Sequence, residues 1–155
     1  MLCWSLGLCR FVLCRVCRKV AYFVLCPICS ETQRSTESLC VFESPSDFLA
    51  LEQGVDFKGQ YFVLYGHLSP IDGIGPAELG LADLKRKVEQ QLISEVIVAT
   101  NPTVEGEATA QFIMDMLPEG VIVSRIAHGI PMGGELDLVD GGTLNHALMG
   151  RRVMS

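Results

Sequence analysis

Short apolar runs alternate with stretches of helical periodicity through most of the chain, and that alternation predicts the fold class. Leu39–Glu43 reads as a buried strand. Ser44 is placed to cap the following helix, with Pro45 at its first position, an apolar face from Phe48, Leu49 and Leu51, and Gly54 as the stop. Gln60–Tyr65 is a second strand, followed by a loop from Gly66 to Pro76 punctuated by Gly and Pro. Leu81, Leu84, Val88 and Leu92 then recur at helical spacing, with Lys85, Arg86 and Lys87 on the outer face. Glu95–Thr100 is a third strand, and Glu105–Leu117 a helix that turns Ala108, Phe112, Ile113 and Met116 inward. Val121–Ala127 is a fourth strand, and Leu144–Met149 a short terminal helix capped by Thr143. Each strand is a continuous apolar run, not an alternating one. The pattern predicts an α/β protein whose parallel sheet is flanked by helices and covered on both faces.

A chain of 155 residues, 49% hydrophobic, has room for one such domain and a small appended module. Charge separates the two. Residues 1–38 carry five basic and two acidic side chains, a surplus of three positive charges, whereas the rest carries seven basic and sixteen acidic, a deficit of nine. An acidic body repels phosphates, so any nucleic-acid footprint is expected among Arg10, Arg15, Arg18, Lys19 and Arg34. Binding through these groups alone should be weak, salt-sensitive and indifferent to sequence. The apolar stretch from Met1 to Cys29 is interrupted by Arg10, Arg15, Arg18 and Lys19 and never reaches the roughly 18 residues a membrane span needs. The expectation is a cytoplasmic protein with no membrane contact.

Seven cysteines lie at positions 3, 9, 14, 17, 26, 29 and 40. Cys14-Arg-Val-Cys17, eight residues, then Cys26-Pro-Ile-Cys29 is the strongest chemical signal in the chain. A two-residue gap lets a tight turn aim both thiolates at one point, and two such turns supply the four sulfurs of tetrahedral zinc. A closed shell of four thiolates leaves no place for water, so the ion would be structural, one per chain. Arg15, Arg18 and Lys19 are placed to offset its surplus negative charge. The alternatives are four buried apolar cysteines or a redox pair, and the doubled motif argues against the second. Cys40, in mid-strand, reads as a core residue.

Ligands of open α/β sheets gather at the carboxyl edge of the strands. There stand Glu43 and the run Asn101-Pro102-Thr103-Val104-Glu105-Gly106-Glu107. Val41-Phe42-Glu43-Ser44 resembles the first motif of Toprim domains, and the run from Asn101 the second. In catalytic Toprim enzymes, topoisomerases and primases among them, that second motif holds magnesium with two aspartates. Asn101 and Thr103 occupy those places here. Loss of two negative ligands leaves at most a weakly held magnesium ion on Glu43, Glu105 and Glu107. The same substitution, within Thr100–Ala110 (TNPTVEGEATA), resembles the RecR family. The likeness extends through Gly66–Pro76 (GHLSPIDGIGP), Ser124–Gly129 (SRIAHG), Pro131–Leu136 (PMGGEL) and the four-cysteine spacing.

The resemblance implies a zinc finger over residues 14–29, a Toprim domain over 37–132 and a C-terminal strand and helix segment over 133–155. Residues 1–13 are left unassigned. They show no trace of the glycine-containing hairpin of the helix-hairpin-helix region that precedes the zinc finger in the family, so the chain is expected to lack that region. By the same resemblance the protein is a non-catalytic mediator of DNA repair and recombination. It would work with RecO and RecF to load a recombinase onto single-stranded gaps, and would assemble with copies of itself. The acids freed from metal duty, Glu43, Asp72, Glu105 and Glu107, are then expected to bind the partner protein.

The rival reading is a metal-dependent Toprim nuclease or primase-like enzyme using Glu43 as acid or base, and the missing aspartates count against it. Leu136-Asp137-Leu138-Val139-Asp140 resembles a Walker B strand, but no phosphate-binding loop accompanies it anywhere in the chain. A zinc ribbon of transcription or translation would explain the cysteines and not the body. His67 and His128 are expected to be loop hydrogen-bonders near the acidic edge, and His146 to ease the end of its helix.

Overall fold

The apolar run beginning at Ser38 forms the strand on which the rest of the fold is laid, β3 (Ser38–Phe42), with Leu39 and Val41 wholly buried. The computed structural model describes residues 11–154. β3 pairs in parallel with β4 (Gln60–Val63) on one side and β5 (Glu95–Ala99) on the other, so that Val41 lies opposite both Phe62 and Val98. β6 (Ile122–Arg125) follows β5, completing the order β4-β3-β5-β6. The connections between these strands carry α1 (Pro45–Gly54), α2 (Leu81–Gln90) and α3 (Val104–Met116), as parallel pairing requires.

The two-residue period of β3 divides the core. Leu39 and Val41 point into a layer with Phe62, Leu84, Val88, Val98 and Ile113, beneath α2 and α3. Cys40 and Phe42 point the other way, to Phe48, Tyr61 and three cysteines of the N-terminal motif. Helices therefore cover one face, while α1 and the cysteine module share the other.

Local signals start α1 as expected. Ser44 accepts from the Asp47 N–H, and the Asp47 carboxylate accepts from the Ser44 N–H, closing a reciprocal cap ahead of Pro45. Three details differ from the sequence reading. α2 ends at Gln90, and Leu92, at φ 52° and 83% exposed, belongs to the turn after it. α3 turns Gly106, Thr109, Ala110 and Ile113 inward, leaving Ala108 exposed and Phe112 38% exposed. Gly106 sets that face, since a Cβ there would overlap the Asn101 carbonyl oxygen. The cap of the last helix, α4 (Gly141–Met149), is Asp140, whose carboxylate accepts from the Thr143 N–H at 3.0 Å.

The described residues fall into two compact units, divided between Ser124 and Arg125. The second holds the 3-10 turn Leu136–Leu138 and α4, with Leu136, Leu138, Leu148 and Met149 all exposed. The Walker-like run is thus a 3-10 turn and a helix cap, not a strand.

Candidate metal centre

Two short strands, β1 (Val12–Leu13) and β2 (Val20–Ala21), pair antiparallel and hold the first cysteine turn between them. Within the turn the Cys14 N–H donates to the Lys19 carbonyl at 2.8 Å, and the Arg18 N–H to the Cys14 carbonyl at 2.9 Å. Arg18 adopts a left-handed φ of 63°. The second turn closes with the Ser30 N–H on the Cys26 carbonyl at 3.0 Å.

These turns bring the Sγ atoms of Cys14, Cys17, Cys26 and Cys29 within 4.8 Å of one another. Cys17 and Cys26 approach to 3.6 Å. Zinc–sulfur bonds of about 2.3 Å in a tetrahedron separate the sulfurs by roughly 3.8 Å, so the cluster fits a zinc ion. Backbone N–H groups of Cys26 and Cys29 donate to the sulfurs of Cys14 and Cys26, at 3.3 and 3.4 Å, which supports thiolates. Without a cation the cluster resists full ionisation. The hydrogen bond from Cys29 draws Cys17 down to about 5, and the same contact, with burial, drives Cys29 upward. Burial likewise raises Cys26. Cys40 stands apart from the cluster as a core thiol, pushed up to about 12 by burial.

The module is joined to the sheet by polar contacts that spacing does not disclose. The Val63 N–H, on β4, donates to the Cys17 carbonyl at 2.9 Å. Lys87, assigned by periodicity to the outer face of α2, is buried, and its ammonium donates to the Val16 carbonyl at 2.8 Å and the Tyr61 carbonyl at 3.4 Å. Burial pulls its pKa down to about 8, against the opposing attraction of the four cysteines. Lys87 is therefore a cation that compensates the cluster.

The expected basic footprint is mostly engaged elsewhere. Arg18 donates to the Leu79 carbonyl and lies over the Phe62 ring. Lys19 lies over Phe48. Arg34, its side chain only 9% exposed, donates to Glu31, Glu52 and the carbonyls of Phe57 and Gly59. Only Arg15 remains exposed among these. Arg10, Cys3 and Cys9 lie outside the described residues.

At the acidic edge Glu43 is buried, and its two oxygens accept from the backbone and side-chain amides of Asn101, each at 2.9 Å. His67 stands 3.5 Å from the same carboxylate. Thr103 caps α3 by accepting from the Gly106 N–H at 3.0 Å. Glu105 and Glu107 occupy the first turn of that helix and are exposed. Asp72, also exposed, is held by Ser69, whose hydroxyl donates to its carboxylate at 2.9 Å. Glu43 therefore differs from the three surface acids in lying beneath the edge, held by Asn101. Among the described residues the four cysteines are the group of histidine, cysteine or acidic side chains that converges closely enough for a metal, and the acids of the edge do not. In the second unit the rings of His128 and His146 lie 5.2 Å apart. No helix among the described residues is long and apolar enough to cross a membrane.

Comparison with known proteins agrees with this arrangement. Residues 37–127 match the model of the Toprim domain, and residues 129–152 that of the RecR C-terminal region. The chain is 57% identical over 143 residues to "Recombination protein RecR" of Stutzerimonas stutzeri (strain A1501), covering 92% of this chain and 71% of the relative. Proteins of the same name from Hahella chejuensis (strain KCTC 2396) and Pseudomonas putida (strain W619) are 54% and 55% identical. They cover 94% and 92% of this chain, and 73% and 72% of their own lengths are matched.

Proposed function

The chain belongs to the RecR family of recombination proteins, and on that footing we propose that it serves recombinational DNA repair as a non-catalytic mediator. It acts in the cytoplasm with RecO and RecF and assembles with copies of itself. The observation that carries the non-catalytic reading is the pair of hydrogen bonds from Asn101 to Glu43. A Toprim catalytic centre needs a second carboxylate there to share a divalent cation. An amide in that place satisfies the glutamate internally and removes the need for the ion. The rival reading, a nuclease or primase-like enzyme, would need those bonds broken before a metal could enter.

One structural zinc ion is held by Cys14, Cys17, Cys26 and Cys29, and its role is to fix the module against the sheet. The partner surface is carried by Glu105, Glu107 and Asp72, all exposed. Carboxylates at an accessible edge pair with basic groups of a partner and set specificity and association rate. Assembly into oligomers is supported by the exposed Leu136, Leu138, Leu148 and Met149, apolar groups that a second copy would cover.

Two measurements test this reading. Reversal of Glu105 and Glu107 to lysine should weaken RecO binding and flatten its salt dependence, and an unchanged affinity would place the surface elsewhere. Incubation with magnesium or manganese should yield no cleavage or synthesis of nucleic acid. Turnover abolished by Glu43→Ala would overturn the non-catalytic assignment.

A further inference from the structure

We infer that Cys29 is a site of oxidative modification by hydrogen peroxide, and that its conversion to a disulfide within the cluster frees the cysteine module from β4. The inference rests on the zinc reading above. The four sulfurs are not equally protected. Cys14, Cys17 and Cys26 are each 1% exposed, whereas Cys29 is half-buried. Cys29 also lines a pocket of about 150 Å³ beside the second turn, and none of the three buried cysteines does.

That pocket suits a small polar oxidant. Thr32, Arg34 and Gln60 contribute polar groups to its wall. The Oε1 atom of Gln60 is buried without a hydrogen-bond partner among the described residues, an acceptor that a hydroperoxide O–H would satisfy. Thiol oxidation follows thiolate character and exposure. Coordination to zinc supplies the first at all four cysteines, and Cys29 alone combines it with access. Cys40, 2% exposed and outside the cluster, has neither.

The chemistry balances with peroxide as the oxidant. The Cys29 sulfur attacks one peroxide oxygen; an S–O bond forms, the O–O bond breaks, and the departing hydroxide takes a proton from solvent. A neighbouring thiolate then attacks the sulfenic sulfur. An S–S bond forms, the S–O bond breaks, and a second hydroxide leaves as water after protonation. Two sulfurs each lose one electron, and peroxide gains both. The other three sulfurs lie within 4.8 Å, so a disulfide of about 2.05 Å requires a closure of less than about 3 Å. Two ligands are lost together, and the two that remain are too few to retain the ion. The module is fixed to the sheet through the Cys17 and Val16 carbonyls, which accept from the Val63 N–H and the Lys87 ammonium. Displacement of the turns therefore uncovers the outer edge of β4.

The test treats the zinc-loaded full chain with less than one equivalent of hydrogen peroxide. Cys3→Ser and Cys9→Ser are introduced so that only the cluster and Cys40 carry thiols. Zinc release is followed with a chromogenic chelator, and disulfides are located by peptide mass mapping after the remaining thiols are blocked. One zinc should leave for each peroxide reduced, and the first disulfide should contain Cys29. Hydrogen exchange at the Val63 N–H should rise on oxidation and fall again after reduction with fresh zinc. Cys29→His keeps four ligands without the accessible thiolate and should slow release by about tenfold. Thr32→Phe, which crowds the pocket, should slow it by roughly threefold or more at unchanged zinc content. Cys40→Ala should leave the rate unchanged. A first disulfide that omits Cys29, or undiminished release from Cys29→His, overturns the proposal. Should Cys29→His fail to take up zinc, the disulfide map and Thr32→Phe decide. Substoichiometric zinc before oxidation would overturn the zinc reading and this proposal together, whereas full zinc with oxidation starting elsewhere would overturn this proposal alone.

Discussion

The cysteine module and the acidic edge of the sheet both gather acceptor groups onto one small region, by opposite means. In the module, residues 14 to 29 bring four sulfurs within 4.8 Å, and the donors that reach them are backbone N–H groups at two of the four. At the edge, two segments 58 residues apart bring Glu43 to Asn101, and an amide supplies both donors the carboxylate needs. Thiolates that converge with fewer donors than charges call for a cation. Acceptors matched by donors are satisfied without one. Asn101 and Thr103 thus stand where catalytic Toprim centres carry two aspartates, and the first of them bonds Glu43 through its amide.

The largest effect should come from removing the cation the module demands. Apparent binding energies of structural zinc are about 10–16 kcal/mol, so Cys26→Ser should abolish stoichiometric zinc and unfold the module. Metal analysis should fall from one equivalent to below half, and hydrogen exchange should show lost protection at the Val63 N–H, which depends on the Cys17 carbonyl. Retained zinc in that variant would break the comparison at its first term.

Next in size is the cation the protein supplies itself. Lys87→Met keeps the buried stem but strands the carbonyls of Val16 and Tyr61. Hydrogen bonds to charged groups contribute about 1.5–3 kcal/mol, and the denaturant midpoint should fall correspondingly. Lys85→Met, exposed on the same helix, should change little.

Asn101→Asp tests the edge directly. It replaces a donor with a carboxylate facing Glu43 and should cost about 1–3 kcal/mol at neutral pH without metal. Magnesium or manganese should restore part of the melting temperature in this variant and leave the parent unaffected. A parent stabilised by magnesium to the same degree would show that the amide does not replace the ion. The smallest expected effect is at Thr103, whose hydroxyl caps α3. Thr103→Ala should destabilise by about 1 kcal/mol and leave any response to magnesium unchanged.

Much of this was legible along the chain because the determinants are local. Continuous apolar runs marked β3, β4 and β5, and Ser44 with Pro45 marked the start of α1. The cysteine spacing named all four members of the cluster, since two-residue turns dictate where their sulfurs go. Other features escaped for reasons that are equally physical. Helical periodicity placed Lys87 outside because a lysine resists burial unless its ammonium is paired, and its partners, Val16 and Tyr61, lie 71 and 26 residues away. The stripe of α3 was legible at Ile113 and Met116 but missed at Gly106, Thr109 and Ala110, because large apolar residues suggested Phe112, whereas close approach to Asn101 favours the face of Gly106.

The sequence by itself determined the α/β class, the order of the elements from β3 to β6 and the identity of the cysteine cluster, because each follows from short-range sterics or from periods of two and 3.6 residues. Only the tertiary structure decided which charges remain available. Arg18, Lys19 and Arg34 look alike to Arg15 in the chain, yet three are engaged by rings, carboxylates or carbonyls of the folded body and one is left exposed. Glu43 looks alike to Glu105, yet one is buried against an amide and the other faces solvent. Charge is a property of the residue. Its availability depends on what the fold brings within about 3 Å, and those partners are distant in sequence.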